Sequence, residues 1–290
     1  MVANLKETRN RITSIRSTMQ ITSAMKMVSA AKLKKATDAI TQMRPYAEKL
    51  QEILENLTSG TEESSDGIYS AVRSEEKVLV VAVTSNRGLC GGFNSAITKE
   101  CLSMVSGEYA DKNLSFLCIG KKGGEFLANK GLNVARTEIE IFNDMSFENV
   151  ANIAEQVMAE FVEGQYDKVI LVYNQFRNAA VQDVQNEQFL PLVASEYENL
   201  SSNSIDYIYE PNKEDIVTEL VPKSLKTQFY KAILDSIAGE HGARMTAMHK
   251  ATDNAKDLAD KLTLQYNKAR QAAITTEILE IVGGAEALNG

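Results

Sequence analysis

The sequence contains no tryptophan, only four prolines and only three cysteines in 290 residues. Cys90, Cys101 and Cys118 are an odd number without a C-x-x-C spacing, which argues against a disulfide framework or a zinc site and favours a reducing compartment. The two histidines, His241 and His249, lie eight residues apart, whereas zinc ligands on one helix are three or four apart. The scarcity of proline leaves long stretches of chain without the usual helix breaker.

The sequence also lacks an apolar run long enough to cross a membrane, because no stretch reaches 18 consecutive apolar residues. Its first residues, MVANLKETRNR, are charged and have no apolar core, so we expect no secretory signal. With 44% hydrophobic and 24% charged residues, the composition is that of a folded globular protein.

The net charge of −8 is unevenly distributed along the chain. Residues 1–57 carry 10 Lys and Arg against 5 Asp and Glu, residues 58–211 carry 11 against 23, and residues 212–290 carry 10 against 11. A basic N-terminal segment fits a nucleic acid, an acidic protein surface or a solvated helix face. The acidic remainder of the chain argues against nucleic acid.

Residues 4–57 are predicted to form one long helix. Asn4 followed by Glu7 resembles a capping box, and Pro45 predicts a kink. Apolar and small residues recur at a spacing of three and four, which is typical of a coiled coil. This seam consists of Leu5, Thr8, Ile12, Ile15, Met19, Thr22, Lys26, Ser29, Leu33, Ala36, Ile40, Met43, Ala47, Leu50, Leu54 and Leu57.

Residues 212–288 are predicted to form a second long helix. Asn212 and Asp215 make a cap-like start after Pro211, and Gly283-Gly284 weakens or ends the helix. The predicted seam consists of Tyr230, Leu234, Ile237, His241, Arg244, Met248, Ala251, Ala255, Leu258, Leu262, Gln265, Ala269, Ala272, Thr276 and Leu279.

The two helices lie at opposite ends of the chain, so we expect them to pair as a long antiparallel coiled coil. At 1.5 Å per residue they measure ~80 Å and ~115 Å. Roughly 30 Å of the longer helix should therefore lack a partner helix. An apolar helix surface of that size needs another protein to cover it.

The middle of the chain predicts an inserted Rossmann-like, mainly parallel α/β domain. Three β-branched runs, near 77–85, 114–120 and 168–173, alternate with helical stretches near 93–107, 121–130 and 146–163. Such alternation is typical of strands joined by right-handed crossovers. The alternating segment 180–190 is a candidate for one more strand. The predicted domains are 1–58, a linker over 59–74, the α/β domain over 75–210, and 211–290.

A glycine-rich turn over residues 86–92, NRGLCGG, follows the first predicted strand and precedes a helix. A dinucleotide-binding fold places its glycines there, but the spacing is neither G-x-G-x-x-G nor that of a P-loop. The segment 120–124, GKKGG, is equally imperfect. Two interpretations stay open: tight turns, or a nucleotide-binding enzyme with a coiled-coil arm. No nucleophile–histidine pair or carboxylate pair stands out.

Several longer segments resemble the family of ATP synthase gamma subunits, in a bacterial-like rather than chloroplast form. The C-terminal segment 274–287, ITTEILEIVGGAEA, is similar to that family's signature. So is the N-terminal segment 21–33, ITSAMKMVSAAKL. Further matches span the chain in order: 44–48 RPYAE, 84–94 TSNRGLCGGFN, 207–211 YIYEP, 243–254 ARMTAMHKATDN and 267–271 NKARQ.

The resemblance implies the fold and the function. Members form the non-catalytic central rotor shaft of F-type ATP synthase, which couples c-ring rotation driven by proton flow to conformational cycling of the catalytic beta subunits. The implied partners are the alpha and beta subunits in a 3:3 ring, the epsilon subunit and the c-ring. Mg-ATP and ADP would be bound by those partners, so no cofactor is expected here. The implied location is the cytoplasmic face of the cell inner membrane, as a peripheral protein.

The resemblance also implies contact residues. Arg270, Gln271, Thr275 and Glu277 match positions that contact beta loops, and Met25, Lys26 and Arg244 match a cluster facing the beta lever. Tyr209 and Glu210 match foot positions that face the c-ring. Arg244 and Arg270 can form bidentate hydrogen bonds with carboxylates. Replacing either by alanine should therefore weaken the coupling of ATP hydrolysis to proton pumping with little change in fold. A seam arginine that lies along its partner helix is the alternative for Arg244, and a solvated lysine is the alternative for Lys26.

Overall fold

The computed structural model describes residues 5–58, 68–71, 73–192 and 213–289. Two long terminal helices, α1 (Leu5–Thr58) and α5 (Lys213–Asn289), enclose an α/β region in sequence. By their contacts the residues form two compact units, Met1–Ser29 with Met245–Gly290, and Ala30–Arg244.

Both predicted long helices are confirmed, and each of their ends lies within one residue of the predicted position. Pro45 lies inside α1 as expected. Pro222 is a second helix-internal proline and lies inside α5. It precedes Tyr230, the first residue of the predicted α5 seam. Most of the predicted linker and the last part of the predicted α/β domain, residues 59–67 and 193–210, lie outside the described residues.

A five-stranded sheet organises the α/β region. Four strands are parallel, and the last runs antiparallel to its neighbour. In chain order the elements are β1 (Lys77–Val83), α2 (Phe93–Ser106), β2 (Asn113–Ile119), α3 (Lys121–Asn129), β3 (Val134–Glu138), α4 (Phe147–Val162), β4 (Lys168–Phe176) and β5 (Gln182–Leu190). The spatial order is β3-β2-β1-β4-β5, so the predicted mainly parallel sheet is confirmed, with 182–190 as its antiparallel strand.

The sequence analysis missed β3, the parallel strand at one edge. Its five residues, VARTE, alternate half-buried and exposed side chains. A short, polar edge strand lacks the continuous apolar run by which a buried strand is predicted, because an edge strand pairs with a neighbour on only one side.

Strand β1 lies in the middle of the sheet and is buried on both faces, as its uninterrupted apolar sequence predicts. Leu79, Val81 and Val83 point into a core shared with α4 and with the Leu225–Ile233 part of α5. The alternate residues of β1 point into a second core with α2. The sheet is thus covered on one face by α2 and on the other by α4 and α5.

In the unit Ala30–Arg244, α5 also packs against α1. Ala36 and Ile40 of α1 form a buried cluster with Leu234 and Ala238 of α5. In the unit Met1–Ser29 with Met245–Gly290, the Thr252 hydroxyl donates a hydrogen bond to the Thr22 hydroxyl at 2.9 Å. The α1 seam prediction is confirmed by burial at Ile12, Thr22, Ser29, Ala36, Ile40 and Leu50.

The α5 seam prediction is wrong at several positions from Leu258 onward, whereas Leu262 and Ala269 are half-buried as predicted. Leu258 is exposed, whereas its neighbour Ala259 is 5% exposed. Gln265 and Ala272 are likewise exposed, while the residues after them, Tyr266 and Ala273, are half-buried. The predicted seam takes three residues and then four from Ala255, whereas the buried side of the helix takes four and then three. A buried alanine instead lets two helices approach closely.

Gly120, between β2 and α3, should tolerate no side chain. Its φ is +105°, and a Cβ would lie 2.2 Å from the Thr84 carbonyl oxygen. Gly120→Ala should lower the free energy of unfolding by about 3 kcal/mol or more, from backbone strain and overpacking combined. Gly131 is the matched control, because it has φ +76° but nothing within 4 Å. Gly131→Ala should cost only the strain, about 1–2 kcal/mol. Equal losses in a denaturant titration would contradict the clash.

Candidate functional site

The carboxyl edge of the parallel sheet is where an open α/β fold binds ligands. In this chain the first three amides of α3 are already bonded to the segment after β1. Lys121 N–H donates to Asn86 Oδ1 at 2.9 Å, Lys122 N–H to the Ser85 carbonyl at 3.0 Å, and Gly123 N–H to Thr84 Oγ1 at 2.9 Å. A phosphate at a helix N-terminus needs such amides. These three amides at the start of α3 are therefore not free to bind a phosphate.

The glycine turn at 86–92 is held by its own polar groups. Asn94 Oδ1 accepts from the Ser85 amide at 2.9 Å, and Asn94 Nδ2 donates to Cys90 Sγ at 3.3 Å. Leu89 and Gly91 adopt left-handed conformations with φ near +60°. A tight turn thus accounts for Gly91, and Leu89 in the same turn is 64% exposed.

Helix α5 is bonded directly to this turn through Arg244. The Arg244 Nη2 group donates to the Arg87 carbonyl at 2.9 Å and to the Gly88 carbonyl at 3.3 Å. Its Nη1 group donates to Glu240 Oε1 at 2.5 Å. Arg244 is 8% exposed and Glu240 7%. One buried guanidinium therefore joins a helix side chain to two backbone carbonyls of the turn.

Two glycines bring the same stretch of α5 close to the α/β region. A Cβ on Gly242 would lie 3.0 Å from Ala179 Cα. A Cβ on Gly239 would lie 3.1 Å from Gln182 Cγ and 3.4 Å from a ring atom of Phe93. A larger residue at Gly242 would press on the backbone of Ala179, and one at Gly239 would press on Gln182 and Phe93.

Burial shifts the titration of the groups around Arg244. The pKa of His241 is lowered to about 4, first by burial and then by the positive charges of Arg244 and Lys32. The pKa of Glu240 is raised, because loss of hydration outweighs the attraction of Arg244. These shifts describe a tightly enclosed cluster in which burial disfavours the charged form of each group.

His241 should make the fold less stable in mild acid. Because its folded pKa is about 4 and its unfolded pKa is near 6.5, the unfolded chain binds the extra proton first. Stability from this group is therefore complete above about pH 6.5 and is lost as the pH falls toward about 4. Glu240 acts in the opposite sense, so the comparison needs matched variants.

His241→Gln should flatten the dependence of the free energy of unfolding on pH between about 4 and 6.5. His249→Gln is the control, because His249 is an exposed histidine on the same helix. Denaturant titrations across this range check the prediction. Identical pH profiles for the two variants would contradict it.

The C-terminal part of α5 presents a different kind of surface. Every described side chain from Ile274 to Ala285 is exposed. They span twelve residues, about 18 Å of helix. The large apolar residues among them are Ile274, Ile278, Leu279, Ile281 and Val282. A run of exposed apolar residues on one helix marks a surface that another protein covers.

The predicted contact residues fall into three groups. Arg270, Gln271, Thr275 and Glu277 are exposed, Met25 and Lys26 are half-buried, and Arg244 is buried. Tyr209 and Glu210 lie outside the described residues. For Arg244 the internal bonds do not support the expectation that its removal would leave the fold little changed. The seam alternative does not describe it either, since it bonds to the glycine turn.

Sequence reasoning missed the partners of Arg244. A backbone carbonyl carries no residue-specific signal, so the bonds to residues 87 and 88 cannot be seen in the sequence. The glutamate four residues before the arginine was a visible signal, because that spacing places both side chains on one helix face.

The exposed apolar end of α5 is the kind of surface that a protein partner covers. Among the described residues, no group of three or more His, Cys, Asp or Glu is placed to hold a metal. None of the described helices is both long and apolar enough to span a bilayer.

Comparison with known proteins identifies the family. The family model described as ATP synthase matches residues 4–288. The chain is 62% identical over 289 residues to the ATP synthase gamma chain of Flavobacterium johnsoniae, with full coverage of both chains. It is 44% identical over 290 residues to the gamma chain of Geobacter metallireducens, again with full coverage. The chain belongs to the ATP synthase gamma chain family.

Solved structures agree with this assignment. A chain of the Tetrahymena thermophila mitochondrial ATP synthase central stalk and c-ring aligns with a TM-score of 0.58 and 28% identity, covering 80% of this chain and 99% of that one. A chain of the Euglena gracilis mitochondrial ATP synthase aligns with a TM-score of 0.72 and 23% identity, covering 98% and 94%. The latter likeness concerns the fold alone.

Proposed function

We propose that the chain is the central rotor shaft of an F-type ATP synthase. In this role it couples c-ring rotation driven by proton flow to conformational cycling of the catalytic beta subunits. The observation that carries the proposal is the similarity to bacterial gamma chains over the whole length. The shaft itself is non-catalytic, and Mg-ATP and ADP bind to its partners.

The exposed end of α5 supports this role physically. Covering an apolar side chain contributes about 1.5–3 kcal/mol, so several such residues within a few turns favour an enclosing apolar sleeve. A single helix pair inside a ring of three similar beta subunits presents a different face to each. Only a partner that contacts two states differently can shift the equilibrium between them, and rotation of an asymmetric shaft supplies that difference.

Four of the proposed contact residues share one side of α5. At 100° per residue, Arg270, Gln271, Thr275 and Glu277 lie within about 160° of the helix circumference. The Thr275 hydroxyl donates to the Gln271 carbonyl at 2.9 Å, which fixes its direction along the helix. We assign these four residues to beta-loop contacts, with Arg270 as the best donor for a carboxylate partner.

The remaining contacts complete the proposed assembly. Met25 and Lys26 would face the beta lever region, and Arg244 would do so only in addition to its internal bonds. Tyr209 and Glu210 would form the foot toward the c-ring. The partners are the alpha and beta subunits in a 3:3 ring, epsilon and the c-ring, at the cytoplasmic face of the cell inner membrane.

The proposed function predicts that the chain assembles with a catalytic ring. The tagged full chain, expressed in its own cells, should co-purify with alpha and beta subunits from detergent-solubilised membranes. Membrane vesicles should then couple ATP hydrolysis to proton pumping, and depletion of the chain should abolish pumping. A purified chain that brings down no ring subunits would refute the rotor assignment.

Arg270→Ala should weaken coupling without unfolding the chain. Arg270 is exposed, so its replacement removes a partner contact worth about 1–3 kcal/mol if the partner is a carboxylate. Proton pumping per ATP hydrolysed is measured in vesicles, with thermal unfolding of the isolated chain alongside. Lys268→Ala is the control, because Lys268 is an exposed basic residue about 160° around the helix from Arg270. Equal pumping ratios for both variants and the unmodified chain would count against the Arg270 contact.

A further inference from the structure

We propose that Arg244, oriented by Glu240, is a positioning residue that locks the glycine turn at 86–92 to helix α5. The lock fixes the α/β region against the part of α5 in the same compact unit. This inference rests on the proposed function, because a rotating shaft must transmit torque between the sheet and the helix without slack.

The guanidinium uses its two terminal nitrogens for different tasks. Nη1 donates to Glu240 Oε1 at 2.5 Å, one helical turn away on α5 itself. Nη2 donates to the carbonyls of Arg87 and Gly88 at 2.9 and 3.3 Å. Glu240 therefore holds one terminal nitrogen of the guanidinium, and the other terminal nitrogen is directed at the two carbonyls of the turn. A lysine has a single nitrogen and cannot reproduce this fixed fork.

Burial of the pair indicates that geometry, rather than stability, is its purpose. With 8% and 7% exposure, both charges have lost most of their hydration. A buried ion pair of this kind stabilises a fold no better than well-packed apolar residues would. What it adds is direction, since the carbonyls of residues 87 and 88 accept only from a donor in the right place.

Close contacts on both sides of Arg244 also hold helix α5 near the glycine turn. Gly242 lies against the backbone of Ala179, and Gly239 lies against Phe93 at the start of α2. Asn174 Nδ2 donates to the Phe93 carbonyl at 3.1 Å, which joins β4 to the same point. The turn, the start of α2 and the connection between β4 and β5 thus meet α5 within two helical turns.

Hydrogen exchange on the full-length chain tests the lock itself. In Arg244→Lys the amides of residues 85–96 should exchange at least about tenfold faster, because charge-assisted bonds that close the turn are lost. Glu240→Gln keeps an acceptor without the charge and should give a smaller increase in the same amides. Arg87→Ala is the control, because Arg87 contributes its carbonyl while its side chain is exposed. Unchanged exchange in Arg244→Lys would overturn the proposal.

Proton pumping per ATP hydrolysed, measured in the assembled complex, tests the positioning role. Arg244→Lys should lose pumping relative to hydrolysis, and Arg87→Ala should match the unmodified complex. Faster exchange with an unaltered pumping ratio would make the bonds merely structural and overturn the role. Lost pumping with unaltered exchange would instead assign Arg244 to a partner contact. If the unmodified chain confers no coupling at all, the proposed function fails, and the exchange experiment still decides the lock.

Discussion

The fold depends on one stretch of helix α5, roughly residues 225–244, which is packed on two sides at once. On one side Leu225 and Phe229 complete the core under the sheet, with the Phe229 ring centroid 5.5 Å from that of Phe189. On the other side Leu234 and Ala238 form the cluster with α1. Because the same few turns serve both contacts, α1 and the sheet are joined chiefly through α5 in this unit. This explains why the stretch is rich in buried residues, whereas later turns of the same helix are not.

Polar bridges reinforce this double packing at its two ends. Near the start, Gln228 Nε2 donates to Glu187 Oε1 at 2.6 Å, and Glu187 Oε2 accepts from the Tyr173 hydroxyl at 2.7 Å. At the end, Arg244 reaches the glycine turn. Apolar packing is strong but non-directional, so it holds the helix on the sheet without fixing its rotation. Hydrogen bonds at both ends supply the missing direction, and a torque-bearing joint needs both components.

Much of this architecture could be predicted from the sequence, and the failures have physical causes. The long helices follow from sustained three–four spacing, and β1, β2 and β4 follow from continuous apolar runs. Strand β3 was missed because an edge strand is half polar. The predicted α5 seam is displaced by one residue at Leu258. A hydrophobicity pattern favours the larger leucine, whereas close packing of helices favours Ala259. The exposed contact residues can be predicted only from the resemblance to a known family. An exposed arginine has the same sequence signal whether or not it binds a partner.

The glycine turn shows most clearly how one motif can be recognised and still be misinterpreted. Its position after β1 is that of a nucleotide-binding loop, yet two of its carbonyls, those of Arg87 and Gly88, accept hydrogen bonds from Arg244. A phosphate site needs unbonded amides that face outward. A turn that offers carbonyls to a buried guanidinium instead attracts positive charge from within the chain. The same local shape, with two of its carbonyls bonded to Arg244, thus connects the segment after β1 to helix α5.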